Sequence, residues 1–268
     1  MRNACTLTLL CLVLFSTSAR PAMGSVFLEE LTWTELRDAV RAGSTTAIIP
    51  VGGTEQGGPH MALGKHNVRV KVLAGKIAGA LGNAVVAPVL PYVPEGAISP
   101  PTSHMRYAGT ISVPDDAFRS VVDAAARSLR QAGFTDVVLI GDHGGYQGQL
   151  KAVAARLNRD WAATTARAHF VGVYYDTAQA PYSQALRAKG ITDAQIGTHA
   201  GLADTSLMLA TDATLVRPER MPLSAAEGAP LGVAGDPRGS SAALGQIGVD
   251  AIVSHTVAAI RSAVAARH

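Results

Sequence analysis

The chain has 268 residues, of which 48% are hydrophobic and 16% are charged, and its formal net charge is +3. This length suits one α/β domain with a large core, and the composition excludes an intrinsically disordered chain. The basic residues are scattered along the sequence rather than clustered. A nucleic-acid-binding surface needs a basic patch, so we expect no nucleic-acid partner.

Residues 1–19 have the pattern of a signal peptide. Arg2 supplies a positive start, residues 7–15 are mostly apolar, and residues 17–19 are small, as a cleavage site requires. The apolar run is short for a membrane span. We therefore expect a periplasmic or secreted protein with a single domain over residues 20–268 and no stable membrane insertion after cleavage. An uncleaved N-terminal anchor is the alternative.

The cysteine positions agree with this interpretation. Cys5 and Cys11 both lie inside the predicted signal peptide. The mature chain would then contain no cysteine, so neither a disulfide nor thiol chemistry is expected.

Strand-like apolar runs alternate with helical runs along the rest of the chain. Predicted strands cover residues 26–28 (an edge strand), 45–51, 84–90, 137–140 and 170–175. Predicted helices cover residues 33–42, 67–81, 115–132, 149–161, 204–210 and 248–266. A Thr32–Glu35 capping box begins the first helix, and Asn67 is the predicted N-cap of the second. This alternation predicts an α/β fold whose sheet is mostly parallel, with helices on both faces.

Two predicted strands end in glycines next to metal-binding side chains. Glu55, His60 and His66 follow the 45–51 strand, and His143 follows the 137–140 strand. The carboxyl ends of parallel strands are where α/β proteins place functional groups. We expect Glu55, His66 and His143 to hold one divalent metal ion, while His60 supports the loop. Nitrogen ligands favour zinc, and manganese, iron or nickel remain open.

A long irregular segment, residues 91–113, lies between the second and third major strands. Loops of this length in a compact domain are usually lids or binding loops. His104, Arg106 and Tyr107 lie within it and are predicted to contact the substrate.

Several motifs together resemble the creatininase (creatinine amidohydrolase) family. They are the segments at residues 29–33, 50–64, 109–110, 141–145, 199–201 and 204–206. The resemblance implies a three-layer α/β/α fold, metal-dependent hydrolysis of non-peptide or cyclic C–N bonds, and a homo-oligomer. Family members open creatinine, act on formamides or trim a precursor peptide.

The resemblance also implies two catalytic residues. His199 matches a family histidine that transfers a proton, a role suited to an imidazole. Asp204 matches a family glutamate, and it is expected to orient a histidine or to add a metal ligand. N-terminal capping of the following helix is its structural alternative.

Departures from the family pattern indicate a changed metal site. Gly57 stands where the family has a second-metal histidine, and His66 stands where a bridging aspartate is expected. A carboxylate can bridge two cations, whereas a neutral imidazole has one lone pair. These changes predict one metal ion rather than two. Gly144 and Gln195 replace aromatic residues of the creatinine pocket, so creatinine itself is not the expected substrate.

The sequence thus predicts a metal-dependent amidohydrolase that cleaves an amide, lactam or cyclic amidine with metal-activated water. Its expected partner is a small-molecule substrate. Two alternatives stay open: an exported, non-catalytic small-molecule binding protein on the same fold, and a peptidase-like enzyme acting on a small peptide.

Overall fold

The structure is a computed structural model that describes residues 24–266. The predicted signal peptide, residues 1–19, lies outside the described residues. The strands are β1 (Thr46–Val51), β2 (Ala84–Val86), β3 (Asp136–Gly141) and β4 (Arg167–Phe170). The helices are α1 (Trp33–Arg41), α2 (Lys65–Leu81), α3 (Asp115–Gln131), α4 (Gln147–Asp160), α5 (Val173–Gln179), α6 (Pro181–Arg187), α7 (Asp193–Ile196), α8 (Leu202–Asp212), α9 (Ala225–Gly228) and α10 (Ala242–Ala265).

The four strands form one parallel sheet in the order β2-β1-β3-β4. Successive side chains of a strand point to opposite faces. In β1, Ile49 packs into one hydrophobic core with α3 and α4, and Ile48 packs into a second core with α2, α8 and α10. Helices therefore cover both faces, and the predicted three-layer α/β/α fold is confirmed.

Strand ends differ from the sequence prediction at two places. Residues 26–28 were expected to form an edge strand, but Phe27 makes an isolated bridge to Val86 and a 3-10 helix occupies Leu28–Glu30. The strand predicted over 170–175 is wrong, because β4 ends at Phe170 and α5 begins at Val173. The β-branched and aromatic residues of this segment fit a strand, yet tertiary packing selects a helix.

The start of α2 bears directly on the site. The helix begins at Lys65, two residues before the predicted N-cap Asn67. Asn67 instead accepts a hydrogen bond from the Gly53 N–H at 2.9 Å and donates to Thr54 Oγ1 at 3.2 Å. Asn67 thereby fixes the loop that leaves β1, and Lys65 and His66 become helical residues that face inward.

Helix α10 is long and apolar enough to cross a membrane by length and composition, with a mean hydropathy of 1.4 over its most apolar window. This is weak evidence, because core helices of globular proteins have the same properties. Ile252, Val257 and Ile260 are buried in the core shared with α2, and Asp250 and Arg261 lie on the exposed side. The packing of α10 is that of a core helix.

The contact between α8 and α10 depends on Gly245. A Cβ added there would lie 1.8 Å from the Ser206 carbonyl oxygen, whereas a Cβ at Gly79 in α2 would meet nothing within 4 Å. We expect Gly245→Ala to lower the free energy of unfolding by about 1–3 kcal/mol through overpacking. Gly79→Ala is the matched control and should raise it by about 0.5–1 kcal/mol. Urea unfolding followed by circular dichroism measures both, and equal stability of the two variants would contradict the described helix contact.

Candidate metal centre

The candidate site lies at the carboxyl edge of the sheet, where β1 and β3 end. Glu55 follows β1 and His143 follows β3, as the sequence predicts. A cavity of about 210 Å³ opens beside them. Its lining includes residues of α2, α5 and α8, together with His104, His143 and His199.

Three side chains direct potential metal ligands at one point. Glu55 Oε2 lies 3.2 Å from His104 Nε2 and 3.4 Å from His143 Nε2. One ligand atom from each of the three residues lies within 4.8 Å of the others. Ligands bound tetrahedrally at about 2.0–2.1 Å are roughly 3.3 Å apart, so these spacings suit a metal ion of that size.

The electrostatics of this group also suit a cation. Glu55 is fully buried, and its Oε2 has no hydrogen-bond partner among residues 24–266. Burial opposes ionisation, but the charge of Lys65 and the contact with His66 hold the pKa of Glu55 well below its usual value. Burial lowers the pKa of His143 to about 3 and also lowers that of His104. The site therefore presents a carboxylate and neutral imidazoles at pH 7, the forms that bind metals.

His66, the predicted third ligand, faces the opposite oxygen of Glu55. Its Nε2 lies 2.8 Å from Glu55 Oε1 and 3.0 Å from Lys65 Nζ, and its Nδ1 lies 2.6 Å from Asp142 Oδ2. The structure thus brings Glu55, His66 and His143 together. His104 is nevertheless the residue that joins Glu55 and His143 around a common point.

A buried network of charges surrounds His66. Lys65 Nζ donates to Glu55 Oε1 at 2.9 Å and to Asp204 Oδ2 at 3.1 Å. Arg69 donates from Nε to Asp142 at 2.8 Å and from Nη1 to Asp204 at 2.5 Å. Burial lowers the pKa of Lys65, but Asp204 and Glu55 raise it more, so the ammonium stays charged.

Asp204 connects elements of the fold and is not part of the cluster of Glu55, His104 and His143. Besides Lys65 and Arg69, it accepts a hydrogen bond from the backbone N–H of Ala200 at 3.1 Å. That bond holds the backbone immediately after His199. The side chain of Asp204 therefore connects α2 to the segment that carries the predicted proton-transfer residue.

His199 is oriented from both sides. Its backbone forms a bridge with Ala234, and its Nε2 lies 2.9 Å from the carbonyl oxygen of Gln56. Its Nδ1 points toward Glu55 Oε1 at 3.7 Å. Burial, and next the charge of Lys65, lower the pKa of His199 to about 4. The ring is thus neutral at pH 7, and it lines the cavity.

Glu95 is a site residue that the sequence analysis missed. It is 3% exposed, and neither of its carboxyl oxygens has a hydrogen-bond partner within residues 24–266. Its Oε2 lies 3.5 Å from His143 Nδ1. Burial, with the nearby charge of Glu55, raises the pKa of Glu95 to about 9. The backbone N–H of Gly145 donates to the same His143 Nδ1 at 3.3 Å, so Glu95 is a neighbour of the ring without a hydrogen bond to it.

Other predicted residues occupy supporting positions. His60 is buried, with Nε2 2.9 Å from Thr205 Oγ1, an arrangement that links its loop to α8. Arg106 and Tyr107 belong to the same long loop as His104, but neither lines the cavity. Among the predicted contacts of that loop, His104 is the one that reaches the site.

Tyr175 forms part of the cavity wall where Gly144 leaves room. A Cβ on Gly144 would lie 2.6 Å from the Tyr175 hydroxyl oxygen. A larger side chain at residue 144 is therefore incompatible with this position of Tyr175. Gln195, the other residue that replaces a family aromatic, caps α7 with its side chain.

The chain is similar to proteins of one family. A sequence model of the family described as Creatinine amidohydrolase (Creatininase) matches residues 29–260. The creatinine amidohydrolase of Pseudomonas putida is 30% identical over 204 residues, which cover 74% of this chain and 76% of that protein. The mycofactocin precursor peptide peptidase of Mycolicibacterium smegmatis is 30% identical over 115 residues, covering 41% and 44% of the two chains.

Solved structures with this fold contain metals. A structure described as "Creatininase Mn" superposes with a TM-score of 0.72 and 26% identity, covering 89% of this chain and 98% of that one. A creatininase variant described as "Zn-Zn type" has a TM-score of 0.71, 25% identity and the same coverage.

The buried charge network generates a prediction about stability. Arg69→Leu removes one buried ion-pair partner from each of Asp142 and Asp204, and we expect the free energy of unfolding to fall by about 3–5 kcal/mol. Arg37→Ala is the control, because Arg37 pairs with Asp38 at the surface, and it should leave stability unchanged. Chemical denaturation measures both. Equal stability of the two variants would show that the network does not hold α2 against α8.

Proposed function

The chain belongs to the creatininase (creatinine amidohydrolase) family, and on that premise we propose that it is a hydrolase that uses a single exchangeable metal ion. The observation that carries the proposal is the convergence of Glu55, His104 and His143 beside the neutral His199. In this proposal His104 takes the place that the sequence analysis assigns to His66.

The proposed metal site consists of Glu55 Oε2 and the Nε2 atoms of His104 and His143. These residues would hold a divalent cation, which would supply Lewis-acid polarisation of a substrate carbonyl and a more acidic water molecule. Two imidazoles and one carboxylate favour zinc among the candidate metals.

We assign proton transfer to His199. The His199 ring lines the cavity, its Nδ1 lies 3.7 Å from Glu55 Oε1, and its Nε2 lies 2.9 Å from the Gln56 carbonyl oxygen. A neutral imidazole in that position accepts a proton from the attacking water and delivers it to the departing nitrogen. Amide nitrogen is a poor leaving group until it is protonated, so this step is needed for C–N cleavage.

We propose a small amide, lactam or cyclic amidine as the substrate. A cavity of about 210 Å³ suits a small molecule better than an extended peptide. Gly144 stands where the resemblance implies an aromatic residue of the creatinine pocket, and the Tyr175 hydroxyl group lies close to it. This part of the wall differs from the one expected for creatinine, which supports a different substrate. A short peptide is the second candidate substrate, because the Mycolicibacterium smegmatis relative is a precursor peptide peptidase.

Removing a proposed metal ligand should remove the metal. Loss of a residue that only hydrogen-bonds a metal ligand raises the dissociation constant of the metal roughly 10–100-fold. We expect His104→Ala and His143→Ala, which remove a ligand itself, to raise the dissociation constant for zinc by more than that. His169→Ala is the control, because His169 pairs with Asp136 outside the cavity. Mass spectrometry of metal content after dialysis measures the effect. If His104→Ala retained zinc as the wild type does, His104 would not be a ligand.

Removing His199 should separate catalysis from binding. With a substrate identified by screening small amides, lactams, cyclic amidines and short peptides, His199→Ala should lower kcat by about 10²–10⁴-fold while metal content stays at the wild-type level. Steady-state kinetics and metal analysis of the same samples measure both. Unchanged kcat would reject the assigned role. A wild-type protein that binds such compounds and turns over none of them would favour the non-catalytic binding protein.

A further inference from the structure

Lys65 occupies a position with the features of a cation site. Its side chain is fully buried, and Nζ contacts Glu55 Oε1 at 2.9 Å, His66 Nε2 at 3.0 Å and Asp204 Oδ2 at 3.1 Å. Two carboxylate oxygens and an imidazole nitrogen are the ligand atoms that divalent metals use in proteins. Here they surround an ammonium group instead.

Gly57 supplies the space for the lysine side chain. A Cβ on Gly57 would lie 3.0 Å from both Cδ and Cε of Lys65 and 3.1 Å from the Met61 Cβ. A histidine at residue 57 would therefore collide with Lys65. The absence of a side chain at Gly57 thus leaves the space that the Lys65 side chain occupies.

The charge balance of the network supports the same conclusion. Glu55, Asp142 and Asp204 supply three negative charges, and Lys65 and Arg69 supply two positive charges. One net negative charge remains, leaving the histidines aside. A single divalent cation changes that net charge from −1 to +1, and a second one beside Lys65 would raise it to +3 in a buried space, which is strongly unfavourable.

We propose that the ammonium group of Lys65 is a built-in cation that takes the place of a second metal ion, so that the chain binds one metal rather than two. The inference rests on the proposed function for the identity of the first metal site. Glu55 then bridges two unlike cations: Oε1 binds the ammonium group and Oε2 faces the exchangeable metal. Lys65 is a positioning residue, since it holds the carboxylate that binds the metal.

The test is metal stoichiometry after reconstitution with zinc chloride. Wild-type protein and the control Lys71→Ala, which changes an exposed lysine of the same helix, should each bind one zinc per chain. Lys65→Ala exposes Glu55 Oε1, His66 Nε2 and Asp204 Oδ2, and the double variant Gly57→His/Lys65→Ala adds a fourth donor. We expect the double variant to bind two zinc ions per chain and Gly57→His alone to bind no more than one.

The outcomes separate the two proposals. Two zinc ions per wild-type chain would overturn the role of Lys65 and the single-metal count, and would leave the proposed ligands Glu55, His104 and His143 and the hydrolase reaction intact. No zinc in the wild type would overturn the first metal site, and the role of Lys65 would still be judged by the gain in the double variant. A folded double variant that binds no more zinc than the wild type would overturn the inference.

A further variant covers the case in which the Lys65→Ala proteins do not fold. Lys65→Leu removes the charge and keeps the inner part of the side chain, and it leaves the position of Nζ empty. Saturating zinc should raise its melting temperature by more than that of the wild type, because a second ion replaces the lost ammonium group. An equal or smaller shift would contradict the proposal.

Discussion

The buried carboxylate of Glu55 is the interaction on which the rest of the site depends. It leaves β1 in a loop that Asn67 holds, and its two oxygens face different groups. Oε1 contacts Lys65 and His66, while Oε2 faces His104 and His143. A buried carboxylate is strongly unfavourable without such partners. Its position therefore determines where Lys65 lies on one side and where a metal ion bound by His104 and His143 would lie on the other.

The network of α2 and α8 extends this constraint into the fold. Arg69 and Lys65, one turn apart on α2, both reach Asp204 on α8, and Arg69 also reaches Asp142 after β3. Asp204 in turn holds the backbone next to His199. The same ion pairs thus join the sheet edge to two helices and set the orientation of the proposed proton-transfer residue. Stability and catalysis share one set of contacts in this molecule.

Much of the fold could be predicted from the sequence, because strand-like and helical runs alternate clearly and several helix ends carry capping signals. The Thr32–Glu35 capping box is present as predicted. The segment after Phe170 could not be predicted, because its Val and Tyr residues favour a strand locally, while burial of Tyr174 against Asp142 stabilises a helix. The intrinsic strand propensity of these residues contains no information about a partner as distant in sequence as Asp142.

The sequence predicts site residues best where a metal-binding side chain directly follows a predicted strand. Glu55 and His143 follow strands, so the edge of the sheet brings them together. His104 and Glu95 come from the long loop, whose path no periodicity reveals. Lys65 was the hardest residue to recognise, because lysine is almost never fully buried unless it is paired, and its partners Glu55 and Asp204 are separated by more than half the chain.

The most direct measurement is an anomalous diffraction map collected at the zinc absorption edge from crystals of the zinc-loaded protein. The account predicts one peak, bonded to Glu55 Oε2, His104 Nε2 and His143 Nε2, with Lys65 Nζ still in contact with Glu55 Oε1. Two peaks, or a single peak that displaces Lys65 and is bonded to His66, would contradict it.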